Sequence, residues 1–222
     1  MKVLAIDSSG VTASVAVADD NNIISEFTVN NRQTHSQTLL PMLDKAVQMS
    51  EIPLEDIEAI AVASGPGSFT GLRIGSATAK GLGLAYRATC YNGIICPLMD
   101  ARRNQVYTAA YHMDGGKLVN VIEQKAVCIN DILKELEQYG GEVLFLGDGV
   151  DVYKDIIQEN IGIKYLFAPC HMAKQSAASV AALGIIYYGE GKYVSAAEFR
   201  PFYLRKPQAE REREKRLVNG QV

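Results

Sequence analysis

The sequence predicts an α/β protein built from two lobes of similar plan. Each half opens with strands joined by polar or glycine-containing turns, and then alternates helix with strand. At 222 residues, 48% of them hydrophobic, the chain is long enough for one large domain or two small ones. We therefore expect a first lobe over residues 1–102 and a second lobe over 103–222, joined near residues 97–104.

The first lobe opens with a predicted antiparallel meander. Its strands are separated by turn-forming clusters and cover Lys2–Ile6, Val11–Ala18 and Ile23–Val29. Apolar residues then recur at helical spacing, and Thr34 with Gln37 has the spacing of a capping box. Pro41 is expected to kink this helix or to mark its true start.

A second strand–helix unit completes the first lobe. The predicted elements are a helical turn, a strand, a glycine-rich loop, a helix and another strand, at Pro53–Ile57, Glu58–Ala63, Ser64–Gly71, Leu72–Arg87 and Thr89–Ile95. The loop reads GxGxxxG rather than the GxGxxG of dinucleotide sites, so it favours a structural turn with a partner surface over phosphate binding.

The helix after that loop carries small residues every fourth position, at Gly71, Gly75, Ala79 and Gly83. An interior glycine destabilises a helix by about 1 kcal/mol relative to alanine, so such a bare face indicates another backbone in close approach. The pattern alone leaves open whether that neighbour lies inside the protein or on a partner.

The second half repeats the same order of elements. A hairpin over Gln105–Tyr111 and Lys117–Ile122 turns at Asp114-Gly115-Gly116. The elements expected after it are a helix, a strand and two further helices, at Asp131–Tyr139, Glu142–Leu146, Val150–Asn160 and Ser176–Tyr188.

Composition restricts the classes of function. The net charge of −3 lacks the basic footprint that neutralises phosphates, so any RNA must be held mostly by another protein. Asp7 interrupts any signal-peptide core and no stretch reaches about 20 apolar residues, so we expect a cytoplasmic protein without a membrane span. The four cysteines form no CxxC pair and are expected to be buried structural thiols.

Familiar catalytic motifs are absent from the sequence. The three histidines, His35, His112 and His171, are far apart and form neither HxxxH nor HExxH. No GxSxG elbow for a nucleophilic serine exists either. We therefore expect no metal site and no catalytic residue, and we expect His35 to have a structural or interface role.

Two loops have the form of a nucleotide site. Asp7-Ser8-Ser9-Gly10 ends a strand and starts a hairpin, where a carboxylate would hold a metal–phosphate group. Leu146-Gly147-Asp148-Gly149 ends a strand and starts a helix, where glycines would admit an adenosine. Two duplicated lobes with loops at these positions point to the actin-like ATPase fold, also called the acetate kinase–sugar kinase–Hsp70–actin fold. The weak cofactor-binding candidates are Asp7, Ser8, Ser9, Gly147 and Gly149.

Segments along nearly the whole chain resemble the TsaB family. They are AIDSSGVTASVAV, HSQTLLPMLDKAV, IEAIAVASGPGSFTGLRIGSATAKGLGLAY, PLMDARRNQVYTAAY and PFYLR, with GPGSFTGLRIG the most specific. The resemblance implies a non-catalytic subunit that works with TsaD, the catalytic paralogue, and TsaE, an ATPase. Together these proteins transfer threonylcarbamoyl from its adenylate to the adenosine beside the tRNA anticodon.

The resemblance also implies a partner surface on two helices. In TsaB-like proteins, the helices corresponding to 34–49 and 72–87 meet TsaD or a second TsaB copy, so the chain alone is expected to form a homodimer. The implied interface residues are His35, Leu39, Leu43, Thr70, Gly71, Arg73, Gly75, Ala79 and Gly83. The tRNA is expected to be reached only through the complex, and no cofactor is required by this chain.

Two enzymatic functions remain as alternative hypotheses. A small-molecule kinase of the same superfamily would hydrolyse ATP in a reaction that depends on Asp7. A metalloprotease-like enzyme would carry zinc or iron. The order of strands and helices excludes neither function. It also leaves open whether the chain binds ATP weakly.

Overall fold

Two β-sheets organise the chain in a computed structural model, which describes residues 1–30, 35–63, 93–114, 117–195 and 197–198. The first sheet has the order β3-β2-β1-β4, with strands at Val3–Asp7 (β1), Ala13–Ala18 (β2), Ile23–Val29 (β3) and Ala59–Val62 (β4). The second has the order β7-β6-β5-β8-β9, with strands at Ile94–Asp100 (β5), Gln105–Asp114 (β6), Lys117–Cys128 (β7), Glu142–Leu146 (β8) and Lys164–Phe167 (β9).

Within the described residues, four α-helices connect and cover these sheets. They run over His35–Ser50 (α1), Ile129–Glu137 (α2), Gly149–Asn160 (α3) and Ala177–Gly189 (α4), and a short 3-10 turn covers Leu54–Asp56. The predicted loop over 64–71 and helix over 72–87 lie outside the described residues.

The two sheets follow one plan. In each, the first strand pairs antiparallel with the second and the second with the third. The strand after the meander then pairs in parallel with the first strand, as β4 does with β1 and β8 does with β5. This repetition confirms the predicted class of two duplicated α/β lobes.

Helix α1 begins at His35 and continues through Pro41, so the expectation that Pro41 marks the true start of the helix is wrong, whereas a kink at Pro41 stays a prediction. Proline removes one backbone donor from a helix, and α1 compensates by packing an apolar stripe on the first sheet. Met42 and Ala46 are buried there against Leu4, Val15 and Val17.

Sheet membership differs from the predicted division at residue 102. Strand β5 opens the second sheet, so the first sheet's strands end before Ile94. Helix α4, predicted to belong to the second lobe, packs on the face of the first sheet opposite α1. Ala5, Ala16, Ala177 and Ala181 form most of this contact, and their small side chains allow the helix to approach the sheet closely.

Two side chains from the first sheet fix the start of α4. Ala177 N–H donates to Ser14 Oγ at 2.9 Å, and Ser176 Oγ–H donates to Glu26 Oε1 at 2.6 Å. Ala178 N–H donates to the same Glu26 oxygen at 3.3 Å. A carboxylate at a helix N-terminus satisfies free amides and interacts favourably with the helix dipole. These hydrogen bonds thus fix the position at which α4 begins to pack on the first lobe.

The second sheet carries α2 and α3 together on one face. Leu133 and Leu136 of α2 and Ile157 of α3 are buried against Leu98 and Phe145 of the strands. Strand β9, whose alternate residues are exposed, was not predicted from the sequence. Strand β9 nevertheless pairs in parallel with β8 and forms the described edge of this sheet.

Candidate functional site

The loop after β1 is buried, and its polar groups form hydrogen bonds within the loop. Asp7, Ser8 and Ser9 are each exposed by 2% or less. Asp7 Oδ1 accepts hydrogen bonds from the Ser9 backbone N–H at 3.0 Å and from Ser9 Oγ–H at 2.7 Å. The carboxylate that would hold a metal–phosphate group in an ATPase therefore stabilises its own turn.

The two glycines of the β8–α3 loop face the backbone of β5. Gly147 has φ +99, and a Cβ added there would clash with the carbonyl oxygen of Leu98. A Cβ at Gly149 would lie 3.0 Å from that oxygen and 3.2 Å from the Asp100 nitrogen. Glycine is thus required at 147, because both the backbone conformation and the close approach exclude a side chain. The atoms that approach these two glycines therefore belong to strand β5 of the same chain.

Asp148, between these glycines, joins the two candidate loops. Its Oδ1 accepts the Asp100 backbone N–H at 3.3 Å, and its carboxylate also accepts the backbone N–H of Val11 from the first lobe. Burial raises the pKa of the Asp148 carboxyl above its ordinary value, although both N–H groups and nearby Lys174 act in the opposite direction. One acidic side chain thus bridges the lobes.

Gln175, just before α4, lies with Asp148 against Gly10. It was not predicted as a site residue. Its side chain is 1% exposed, and within the described residues neither its Oε1 nor its Nε2 has a hydrogen-bond partner. A Cβ added at Gly10 would clash with Gln175 Nε2 and lie 2.6 Å from Asp148 Oδ2. No residue pattern marks such a glutamine, because its burial depends on how α4 returns to the first lobe.

His35 connects α1 to the contact between the loops after β1 and β8, which we call the interlobe cleft. Its Nε2–H donates to the Gly10 carbonyl oxygen at 2.7 Å, while its buried Nδ1 has no partner among the residues that the structure describes. The side chain is half-buried. His35 therefore has a structural contact at the start of α1, next to the residue that Asp148 and Gln175 both approach.

The other implied interface residues divide into two groups. Leu39 and Leu43 are half-buried and pack against the core between α1 and the first sheet. The apolar side chains that α1 exposes are instead Leu40 and Met49, at 72% and 60%. The remaining residues, Thr70, Gly71, Arg73, Gly75, Ala79 and Gly83, lie outside the described part of the chain.

The β5–β6 connection is a left-handed turn of non-glycine residues. Arg102, Arg103 and Asn104 have φ of 59, 57 and 57 degrees. Asp100 Oδ1 anchors the turn, accepting the Arg102 N–H at 2.8 Å and the Tyr153 hydroxyl at 2.8 Å. No ion pair joins Asp100 to Arg103 in the described residues.

Neither a metal cluster nor a membrane helix is found in the described parts of the chain. Within them, no three His, Cys, Asp or Glu side chains lie together as ligands of one ion would. No helix there is both long and apolar enough to cross a bilayer.

The cysteines differ in exposure. Cys96 is fully buried, Cys128 is half-buried and Cys170 is exposed, so the expectation of buried thiols is wrong for Cys170; Cys90 lies outside the described residues. Burial raises the pKa of the Cys96 thiol to about 12.

Thiol labelling at pH 8 tests this difference. We expect Cys170 to react readily and Cys96 to stay unlabelled until the protein unfolds, since about one Cys96 thiol in 10⁴ would be ionised at that pH. Peptide mass spectrometry after timed labelling measures both rates. Equal rates in the folded protein would contradict the buried position of Cys96.

Comparison with known proteins fixes the family. A family model described as TsaD, tRNA N6-adenosine threonylcarbamoyltransferase, matches residues 22–213. The tRNA threonylcarbamoyladenosine biosynthesis protein TsaB of Bacillus subtilis (strain 168) is 31% identical over 95% of this chain and 96% of its own length. The chain belongs to the TsaB family. The TsaB protein of Escherichia coli (strain K12) is also 31% identical, over 92% of this chain and 95% of its own length.

Solved structures agree with the TsaB fold. A Pseudomonas aeruginosa protein described as similar to peptidase YEAZ superposes with a TM-score of 0.76 at 21% identity, covering 92% of this chain and 99% of that one. The activator of 2-hydroxyisocaproyl-CoA dehydratase from Clostridium difficile, solved with bound ADPNP, gives a TM-score of 0.50 at 11% identity, covering 88% and 99%. The actin-like ATPase fold predicted from the sequence is confirmed.

Proposed function

We propose that this chain is a non-catalytic subunit in the biosynthesis of threonylcarbamoyladenosine in tRNA and acts by holding a TsaD-like catalytic paralogue in a competent arrangement. The role in this biosynthesis rests on membership of the TsaB family. The observation that carries the non-catalytic role is the interlobe cleft, where the chain's own residues occupy the contacts that a nucleotide would need.

Three features of the cleft argue against catalysis. Asp7 accepts hydrogen bonds from Ser9 within its own turn, and Gly147 lies directly against the carbonyl of Leu98. The carboxylate of Asp148 lies between the lobes, where it would repel the phosphates of ATP. In ATPases of this fold the nucleotide would bridge the lobes; here a side chain does so.

The proposed partners follow from family membership and charge. A TsaD-like paralogue supplies the catalytic site, a TsaE-like ATPase docks on the shared complex, and the chain alone forms a homodimer through α1 and the helix predicted over 72–87. With a net charge of −3 the chain contacts tRNA only as part of the complex. We place this assembly in the cytoplasm.

Exposed apolar residues on α1 provide a test of the partner surface. We expect Leu40→Arg to weaken binding to the TsaD-like partner by about 30-fold, because buried apolar anchors at an interface contribute about 2 kcal/mol. Leu166→Arg on β9 is the matched control, since Leu166 is also exposed but lies on the second sheet. Interferometry with the purified partner measures both constants; an unchanged affinity for Leu40→Arg would remove α1 from the interface.

Nucleotide binding distinguishes this proposal from the small-molecule kinase alternative. We expect calorimetry with Mg-ATP to give no saturable binding below about 1 mM, because the Asp148 carboxylate would repel the phosphates and Gly147 lies against the Leu98 carbonyl. Asp7→Ala is the informative variant: tight, magnesium-dependent binding that this change abolishes would favour the kinase.

A further inference from the structure

A groove of about 620 Å³ runs along strand β4 next to helix α4. Its lining is shared by β4, by Leu183, Gly184 and Tyr187 of α4, and by Tyr193 and Val194 after the helix. A volume of this size is ample for a few side chains of another segment. The groove is therefore a place where the first lobe can bind one more element.

The charges in this groove already have partners. Among the lining residues that the structure describes, the charged ones are Glu58 and Lys192. Glu58 accepts the Lys2 backbone N–H at 2.6 Å, and Lys192 Nζ lies 2.6 Å from a carboxylate oxygen of Glu190. An occupant therefore needs to bring no charge to balance them, and an apolar segment fits best.

Strand β4 lacks the usual protection of a sheet edge. Within the described residues, the two sheets end at β3, β4, β7 and β9. The other three edge strands carry charged side chains, such as Glu26, Lys125 and Lys164. Strand β4 reads Ala-Ile-Ala-Val and has no charge, no proline and no register shift. Because natural edge strands are usually charged, interrupted or covered, β4 is typical of an edge that another strand covers.

The duplicated plan indicates what kind of element belongs beside β4. In the second sheet, β9 pairs in parallel with β8, at the place that corresponds to the outer side of β4. No described strand holds that place in the first sheet. Strand β9 is only four residues long, and its Tyr165 and Phe167 pack against the core. A short segment with alternate apolar side chains is therefore what this fold places there.

The chain after α4 leads into the groove. Gly191 has φ +72, its N–H donates to the Tyr188 carbonyl at 3.0 Å, and the Lys192 N–H donates to the Tyr187 carbonyl at 2.8 Å. This pair of bonds is a Schellman motif, which ends a helix and turns the chain. Tyr193 then stacks on Tyr188 with ring centroids 4.7 Å apart. The C-terminal part of the sequence therefore starts from the groove itself.

We propose that residues 202–205 of the same chain dock in this groove as a fifth strand on β4. They read Phe-Tyr-Leu-Arg, which are the residue kinds of β9, Lys-Tyr-Leu-Phe, around the same Tyr-Leu pair. Pro201 and Pro207 flank them, and proline is tolerated at the ends of edge strands. The inference goes beyond the proposed function and does not depend on it.

The segment can reach β4 from the groove. Phe202 follows Val194 by eight residues, and eight extended residues span at most about 26–29 Å. The four residues of β4 span about 13 Å, so the intervening chain is long enough to return along the strand. Docking therefore requires no second copy of the protein.

Strand geometry assigns the side chains that enter the groove. Successive side chains of a strand point to opposite faces, so Phe202 and Leu204 share one face, and Tyr203 and Arg205 share the other. Burial of the apolar pair stabilises the docked strand, whereas burial of Arg205 would cost free energy. Phe202 and Leu204 thus enter the groove, and Arg205 stays in water.

Single tryptophans test this alternation in the full chain, which has no natural tryptophan. The Phe202→Trp and Tyr203→Trp variants place the same fluorophore at neighbouring positions. We expect acrylamide to quench the Phe202→Trp variant about tenfold more slowly, the factor for a net docking free energy of about 1.4 kcal/mol. Equal quenching of the two variants would overturn the proposal.

A charge in the groove should release the segment. Val194→Asp, made in the Phe202→Trp variant, is expected to raise quenching to the level of the Tyr203→Trp variant. Val152→Asp is the matched control, because Val152 on α3 is 57% exposed and Val194 is 60% exposed. Protection that survives Val194→Asp contradicts docking in this groove. Protection that disappears on dilution contradicts docking within one chain, since a second copy would then supply the strand.

Hydrogen exchange of the unsubstituted full chain gives a measurement that needs no variant to fold. Docking predicts that the amides of residues 202–205 exchange about tenfold more slowly than those of an unstructured chain. Mass spectrometry of peptides from both β4 and the C-terminal segment measures the exchange. Unprotected amides at 202–205 would overturn the proposal, whatever the protection of β4.

Discussion

Threonylcarbamoyladenosine formation is expected to slow by about 100-fold when this chain is omitted from a reaction reconstituted with the TsaD-like protein, the TsaE-like protein, tRNA and the adenylate donor. The physical reason is the population of the competent state of the catalytic paralogue. If the paralogue alone adopts that state about 1% of the time, the rate falls about 100-fold. Chromatography of the nucleosides from digested tRNA measures the product.

Adding the chain back should restore the reaction in proportion to complex formed. The Leu40→Arg variant is the sharper control, because it should restore activity only at concentrations raised by its loss of affinity. Two results would contradict the scaffold role: full activity of the TsaD-like protein by itself, or modified tRNA produced by this chain without it.

Gly147→Ala is expected to destabilise the chain by about 3–5 kcal/mol, the largest effect of any single substitution proposed for its stability. The new Cβ meets the Leu98 carbonyl oxygen, and the backbone has φ +99, which alanine rarely adopts. Since domains are stable by only about 5–15 kcal/mol, this loss is a large fraction of the total stability. Urea denaturation followed by circular dichroism gives the free energy of unfolding.

Two glycines separate the contributions of strain and of steric overlap. Gly140 also has a positive φ of +65, but a Cβ there would meet nothing within 4 Å, so Gly140→Ala should cost only about 1–2 kcal/mol. Gly149→Ala adds the close approach to Leu98 without the positive φ and should lie between the two. Equal effects at 140 and 147 would mean that the contact with β5 is not tight.

Local patterns predicted most of the secondary structure. Strand β3 over Ile23–Val29 and strand β8 over Glu142–Leu146 agree residue for residue, because alternating or continuous apolar runs are bounded there by turn residues. The two loops singled out at 7–10 and 146–149 do lie close together, joined through Asp148 and Val11. Both loops were predicted to belong to a nucleotide-type site, because each follows a strand at the position expected in the actin-like fold.

The failures concern features that depend on the tertiary structure. Pro41 lies inside a continuous helix because packing on the first sheet outweighs one missing donor. The left-handed turn over Arg102–Asn104 has no glycine to mark it, and hydrogen bonds to Asp100 hold it instead. Gln175 is buried only because a helix late in the chain packs on the first sheet.

That late helix also has a consequence for synthesis. One face of the first sheet, with Ala5, Ala16 and Ala63, is covered by α4, whose last residue is Gly189. A ribosome adding roughly 5–20 residues per second needs about 6–25 s to proceed from the end of β4 to the end of α4. During that interval α4 does not yet cover the face, which can contact other nascent chains or chaperones. Because it is built largely of alanine, it exposes much less apolar area than the leucine and valine face covered by α1.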